Sequence, residues 1–588
     1  MERRWPFVLA SFLVAASICA MAQSDPYGGG ASDGTGATGL TTRNAPPDAQ
    51  SVSRRTESGK EITFKSQTTL IQVPVVVTNK AGDHVHQLTK SDFKVLEDGK
   101  QQNIANLEEI VPAKNVQPAN VQPPPAQPDG TFTNLPSRET APRPITVIVL
   151  DEVNTPFLNQ AQSRAEIIKY LANHLDSSQT TGLVAIGGNG LTVLSDLDTD
   201  PAVLIAALKK AGSEVSTMER FSKTAQAIAA TGEAPSELKI GGTGRYAEPA
   251  GVINRFILKD EAIEATNSQE RTLETTLQSF LSLAWSLSGV PGRKSLIWAT
   301  GGFPFYLDTY TSVPGDNALR LLYERVLKAL NDAQISVYPL DVRGLLADPT
   351  YSGEHTGSTF SGEAQDALRE STITSLKNFA RMTGGVAYYG SNDLSGALGR
   401  AAQDSSSYYL LSYYLDRRNS KPGWRKLQVA VSRPDTEARA RAGFLVTDVA
   451  VNPEVTHKTD VEFALHSLFE STGIPITQRW EQTSANGNKK KVGFALQVPA
   501  GDVINEADKN RFDVEFVVQA TSKGAIAGTV SQTIKGAVRP DALAQLKADG
   551  ISYSNSFDLP PGEYQVRFVV RDNQSGRIGS VISPLTVK

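Results

Sequence analysis

Cysteine is all but absent: Cys19 is the only one in a chain of 588 residues. With residues 1–22 removed as an export signal, the mature chain has none. That excludes disulfides, a thiolate nucleophile and cysteine-ligated zinc, so stability must rest on large apolar cores. Histidine is scarce as well, with six residues and no H-E-x-x-H spacing among them. His84 and His86 alternate on a turn and could touch a metal, although a solvated loop is the simpler account. An excess of charge of one sign is also missing: 58 Lys and Arg stand against 62 Asp and Glu, mixed along the chain. No clustered basic face is expected, and hence no nucleic-acid partner. Outside the N-terminus no apolar run has the length a transmembrane helix needs.

The N-terminus reads as a targeting segment. Glu2-Arg3-Arg4 is a small positive region, Trp5 to Ile18 is apolar, and Ala20-Met21-Ala22 fits a small-residue cleavage site before Gln23. The apolar run is short for a membrane span, and bulky Ile18 before Cys19 disfavours lipidation. Export to the periplasm, the cell envelope or the outside is expected, with no membrane span after signal removal.

Composition then divides the chain. Residues 23–58, rich in Gly, Ser, Thr and Ala, read as a linker. Residues 59–112 read as a small β module, with Val73, Val75 and Val77 alternating and Asp98-Gly99 at a hairpin reversal. Residues 113–143 are a Pro-rich linker. Residues 144–448 alternate strand and helix, with polar insertions at about 211–252 and 345–362. Within them, 406–446 return to β as antiparallel additions to the sheet or a small cap. Residues 451–588 read as a β-sandwich, with Phe512, Val514, Phe516 and Val518 alternating in one strand. The expected fold class is therefore α/β: a doubly wound, mostly parallel sheet flanked by N-terminal and C-terminal β-sandwich modules of immunoglobulin-like type.

The stretch that organises this reading is Ile145–Leu150, an unbroken apolar run followed by Asp151, Asn154 and Thr155. Such a run reads as a strand buried on both faces, and ligands of open α/β sheets bind at the carboxyl ends of strands. Other chemistry is thinly represented. Gly289–Ser295 has a passing likeness to a phosphate loop, but Arg293 interrupts the required Gly-Lys and the loop precedes its strand. There is no G-x-S-x-G elbow. Tyr408, Tyr409, Tyr413 and Tyr414 are expected to divide evenly between core and surface.

Several motifs together carry a resemblance. They are Leu88-Thr89-Lys90-Ser91-Asp92-Phe93 with Glu97-Asp98-Gly99, and Leu150–Thr155. Pro291–Trp298 with Gly301-Gly302-Phe303-Pro304, Thr383-Gly384-Gly385, Tyr408–Tyr413 and Arg441–Phe444 complete the set. Over roughly residues 60–446, and more weakly beyond, the chain resembles a von Willebrand factor type A domain protein, in particular the VWFA-related family abundant in acidobacteria. The resemblance implies a Rossmann-like sheet and a Mg²⁺ site built from a D-x-S-x-S loop, a Thr from a second loop and a late Asp, through which a partner is bound. Asp151 and Thr155 match. Val153 replaces the first Ser, Asn154 stands at the wrong offset, and Gly301 replaces the late Asp. Thr243 and Thr272 are both open as the second-loop Thr.

The expected metal residues are thus Asp151, Thr155 and Asn154 in a degenerate set, with no cofactor expected and Mg²⁺ or Ca²⁺ the ions such a set could hold. Phe303, Phe305 and Tyr306 are the expected protein-contact residues. The function expected is an exported, non-enzymatic binding or adhesion-type protein with an unidentified protein partner. The alternatives are a metal-dependent hydrolase and a structural envelope component.

Overall fold

The computed structural model describes residues 68–111, 130–134, 144–175, 179–188, 190–211, 270–303, 317–344, 360–416, 423–446, 453–467, 469–504 and 510–588. The expected signal, the first linker and most of the two insertions lie outside the described residues. Among the described residues no helix is long and apolar enough to cross a membrane.

The organising run forms β6 (Ile145–Asp151), parallel to β7 (Thr180–Gly187) on one side and β9 (Lys294–Thr300) on the other. Strand β10 (Ile335–Asp341) pairs in parallel with β9. The edge strand β8 (Gly190–Asp198) returns antiparallel to β7 through Gly190, whose φ is +95°. Every residue of β6, β9 and β10 is buried, which is why these strands show no polar alternation. Val147 and Val149, with Trp298 and Val337, pack under the helices spanning 270–287, Asn317–Asp332 and Phe360–Thr383. Ile148 and Leu150 face the opposite way, with Ile297 and Tyr338, onto Phe157–His174, 201–211 and Leu394–Gln403.

Two antiparallel sheets form a sandwich from both ends of this segment. One has the order β13 (Thr436–Arg439), β1 (Thr68–Asn79), β11 (Tyr408–Asp416), β4 (Ile104–Ile110). The other is β14 (Gly443–Val446), β12 (Gly423–Val431), β2 (Phe93–Glu97), β3 (Lys100–Gln102). Val73, Val75, Phe93, Tyr409, Leu411, Leu427 and Phe444 share its core. The expected N-terminal module is therefore not a separate unit. Central strand β11, more than 300 residues from β1 in sequence, completes it. The tyrosines do not divide evenly. Tyr409 and Tyr413 fill the sandwich, Tyr408 is buried on the other side where its hydroxyl accepts the Arg293 N–H at 3.0 Å, and only Tyr414 is exposed.

A second sandwich occupies the C-terminus. Its sheets are β19 (Ile551–Leu559), β16 (Lys489–Val498), β15 (Thr477–Asn486), β5 (Thr131–Thr133), and β18 (Ala525–Ala537), β17 (Arg511–Ser522), β20 (Gly562–Asp572), β21 (Ile578–Val587). Strand β5 comes from the stretch expected to be a Pro-rich linker and pairs with β15 at Thr133↔Thr477. The module opens with a helix, Pro453–His466, not a strand. On this helix the Asp460 carboxylate accepts from Arg571 of β20 at 2.9 Å and also pairs with Arg325 of the helix Asn317–Asp332. One buried acid thereby ties the sandwich to the helical layer.

The expected fold class is overturned. Five sheets are described, four of them antiparallel and four-stranded, so the protein is mainly β and not a doubly wound parallel α/β fold with appended modules. Among the described residues, parallel pairing is confined to β6, β7, β9 and β10 and an isolated bridge, Leu340↔Tyr388. The reason is one of visibility. A strand buried on both faces stands out as an unbroken apolar run, whereas half-buried antiparallel strands with distant partners leave only weak alternation.

Candidate functional site

Asp151 ends β6 at the carboxyl edge of the parallel sheet and is 1% exposed. Its Oδ2 accepts three hydrogen bonds: from Asn154 Nδ2 at 2.8 Å, Trp298 Nε1 at 2.9 Å and Thr300 Oγ1 at 2.9 Å. Its Oδ1 accepts the Asn154 backbone N–H at 3.1 Å. Burial pushes the carboxyl up to about 6, against the opposing pull of Asn154, Thr300 and Trp298. The acid is therefore saturated by protein donors.

Asn154 extends the network outward. Its amide nitrogen lies 2.8 Å from Asp151 Oδ2 and 2.8 Å from Thr276 Oγ1, donating to both. It thus bridges a carboxylate and a threonine hydroxyl in the manner expected of a hard cation, but with N–H donors in place of a positive ion. The threonine that meets the loop is Thr276; Thr272, four residues earlier, is joined through its carbonyl, which accepts from Thr276 Oγ1 at 2.9 Å. Thr243 lies outside the described residues.

The remaining expected positions are closed for steric reasons. Val153 packs against the apolar core under the sheet. Thr155 Oγ1 accepts the Gly301 N–H at 2.9 Å. A Cβ at Gly301 would lie 2.7 Å from the Asn154 carbonyl oxygen and 2.8 Å from Pro156 Cδ, so an acid at this position has no room. Gln160 clamps the loop from the following helix, donating to the Glu152 and Thr155 carbonyls at 3.0 and 2.9 Å. Asp151 and Asn154 are joined by hydrogen bonds and Thr155 holds the Gly301 backbone, an internal latch in which each of these side chains already has a protein partner.

Phe303 is not a contact residue. It is 1% exposed and packs edge-on against Trp298 and Phe379, at centroid distances of 5.2 and 6.1 Å. Phe305 and Tyr306 lie outside the described residues. The phosphate-loop likeness dissolves too: Arg293 is buried and donates to Tyr338 Oη at 2.8 Å and to the Gly384 carbonyl at 3.0 Å. The Thr383-Gly384-Gly385 motif has a packing reason, since a Cβ at Gly385 would lie 2.0 Å from the Val337 carbonyl oxygen.

Two further features lie outside the expected site. A cleft of about 190 Å³ opens at the carboxyl end of β10, lined by residues including Asp341, Tyr388, Tyr389, Asp393 and Arg400. Arg343 grips Asp341 through two side-chain bonds of 2.9 and 2.8 Å, while Tyr389 is 42% exposed beneath the Lys377 ammonium. Elsewhere, on the first sandwich, Glu109 meets His84 and His86, with all three ligand atoms within 4.8 Å of one another. The cleft could not be read from a local motif, because it assembles residues from separate elements; the His84 and His86 pair was legible as a metal candidate, whereas Glu109, on a distant strand, was not. Period-two alternation does place Trp298 and Thr300 on one face of β9, and that was a legible hint of the Asp151 latch. Compared with family models and with curated proteins, the chain finds no match.

Proposed function

We propose that the chain is an exported, non-enzymatic binding protein that engages a protein partner at the carboxyl edge of its parallel strands. The observation that carries this reading is the saturation of Asp151 by four protein donors. The most prominent acid of this edge is committed to holding the edge rigid, so the surface around it serves for recognition. The adjacent cleft, about 190 Å³, is below the ~300 Å³ at which small-molecule pockets begin. It suits one or two side chains of a partner, and it offers an exposed aromatic, Tyr389, beside Arg400 and Asp393. Aromatic and arginine residues are the usual anchors of protein contacts. Export rests on the N-terminal segment, Glu2 to Ala22.

The test is recovery of partners from envelope fractions on the immobilised full chain, alongside the double variant Tyr389→Ala, Arg400→Glu. A specific protein retained by the wild type and lost from the variant is the expected result. Equal recovery on both would rule out this edge as the contact surface.

A further inference from the structure

We propose that His84, His86 and Glu109 form a binding site for a borderline divalent transition metal of the zinc class. The site lies on the first sandwich, far in sequence from the Asp151 latch, and is independent of the partner-binding reading.

The two histidines are one residue apart, so an extended backbone presents both on one side. The turn that carries them is well anchored. Thr78 bridges to His84, and Val85 N–H donates to the Val77 carbonyl at 2.9 Å. Tyr409 then pins the loop from the neighbouring strand. Its hydroxyl donates to the Val85 carbonyl at 2.8 Å and accepts the Leu88 N–H at 3.1 Å. Its ring stacks on His84 at 5.4 Å and 21°, which fixes the imidazole plane. Gln87 takes a left-handed φ of +59°, so the chain turns sharply just past His86.

Glu109 arrives from β4, where it stands directly opposite Tyr409. Its Oε1 lies 2.7 Å from His86 Nδ1 and 3.4 Å from His84 Nε2. Ligands about 2.1 Å from a tetrahedral zinc are about 3.4 Å from one another. The His84 separation already matches this, and the His86 separation needs only a small rotation. Glu109 Oε2 accepts the Gln87 N–H at 3.1 Å, an orienting bond of the kind that holds a metal-ligating carboxylate.

His84 supplies the reason a metal belongs here. Its side chain is 11% exposed; Nδ1 is buried without a hydrogen-bond partner, and buried Nε2 has only the long 3.4 Å approach of Glu109 Oε1. Buried polar atoms are nearly always satisfied, and a metal on Nε2 would satisfy one of these two. Arg433 reaches the backbone carbonyls of His86 and Gln87, at 3.2 and 3.5 Å, and not the ligand side chains. His86 is 57% exposed, so the metal has a path from solvent and a fourth position for water. Two imidazoles and one carboxylate suit Zn²⁺ and its neighbours; Mg²⁺ and Ca²⁺ want oxygen ligands throughout.

The experiment is equilibrium dialysis of the full, untagged chain against ZnCl₂ alone, with bound metal measured by mass spectrometry. It is repeated with MgCl₂, and with His86→Ala and Glu109→Gln. Stoichiometric Zn²⁺ on the wild type is expected, with no retained Mg²⁺. Each variant should bind at least about 100-fold more weakly, the upper end of what loss of a supporting bond costs a metal site. Both altered side chains are at least partly exposed, and an unchanged circular dichroism spectrum would verify folding. A Co²⁺-loaded wild type should show a tetrahedral visible spectrum that the variants lack. The proposal is overturned if the wild type retains no Zn²⁺, or if folded His86→Ala retains it with wild-type affinity.

Discussion

Replacing Asp151 with Ala should loosen the parallel sheet at its centre, and the size of the effect follows from the contacts. The substitution removes the acceptor of four donors: buried Trp298 Nε1, Thr300 Oγ1, which can turn to the Gly302 carbonyl, and the part-buried Asn154 backbone and amide. Each orphaned buried donor costs about 1–3 kcal/mol. Against this, the substitution removes a charge that the fold holds at a cost. A carboxyl lifted from 3.8 to about 6 corresponds to about 3 kcal/mol against its ionised form. Taking Trp298 at the top of that range and the other three donors at its foot gives about 6 kcal/mol lost, so the net loss at pH 7 is about 3 kcal/mol, or on the order of 100-fold in local opening. Because a chain of several cores need not unfold in one step, the assay is hydrogen exchange of peptides covering Ile145–Asp151 and Lys294–Thr300, not a global melt.

Acid gives a second signature. The folded-state value of Asp151 lies above the unfolded one, so the folded state holds its proton more tightly. Its contribution to stability is fully present below about pH 4 and is lost as pH rises through about 6. The Ala variant lacks this slope, so the difference in protection between wild type and variant, compared at equal pH, should widen on acidification from 7 to 4. Unchanged exchange in the variant at pH 7, or a gap that narrows in acid, would refute the latch.

Restoring the ligands that the resemblance calls for should not create a cation site. The double variant Val153→Ser, Gly301→Asp is expected to lose stability by about 1–3 kcal/mol, because the new Cβ overlaps the Asn154 carbonyl and Pro156. A melting temperature that rises with added Mg²⁺ would contradict this. Asp460→Ala removes the acid shared by Arg571 and Arg325. Stranding the buried guanidinium of Arg571 should cost about 3 kcal/mol, the lower end for a broken buried pair because Arg325 is partly exposed. Proteolysis near Pro453–His466 should quicken accordingly, and an unaltered digestion pattern would show that Asp460 does not join the layers.

How much was legible depended on how local each feature is. The hairpin at Asp98-Gly99 was readable because two adjacent residues in left-handed backbone, at φ +46° and +80°, are a short-range requirement that Asp-Gly meets. The buried strands β6, β9 and β10 were readable because burial on both faces writes itself into consecutive residues. The joining of β1 to β11 was not, nor the loan of β5 to the C-terminal sandwich. Backbone hydrogen bonds are the same for every residue type, so pairing partners leave no mark beyond alternation. Phe303 misled for a related reason: a single aromatic after a strand suits a contact loop or a core equally well, and only its neighbours Trp298 and Phe379 decide.

The sequence by itself determined that a buried strand ends in an acid at Asp151, that the side chains of Val153 and Gly301 cannot supply oxygen ligands, and that a chain whose one cysteine is Cys19 can form no internal disulfide and must be held by its cores. Those follow from residue chemistry and spacing along one segment. Only the tertiary structure decided that Asn154 fills the place between Asp151 and Thr276, that mainly antiparallel sheets dominate, and that Glu109 meets His84 and His86. These depend on which distant segments share a surface. That is settled by the packing of whole cores and not by any single stretch of chain.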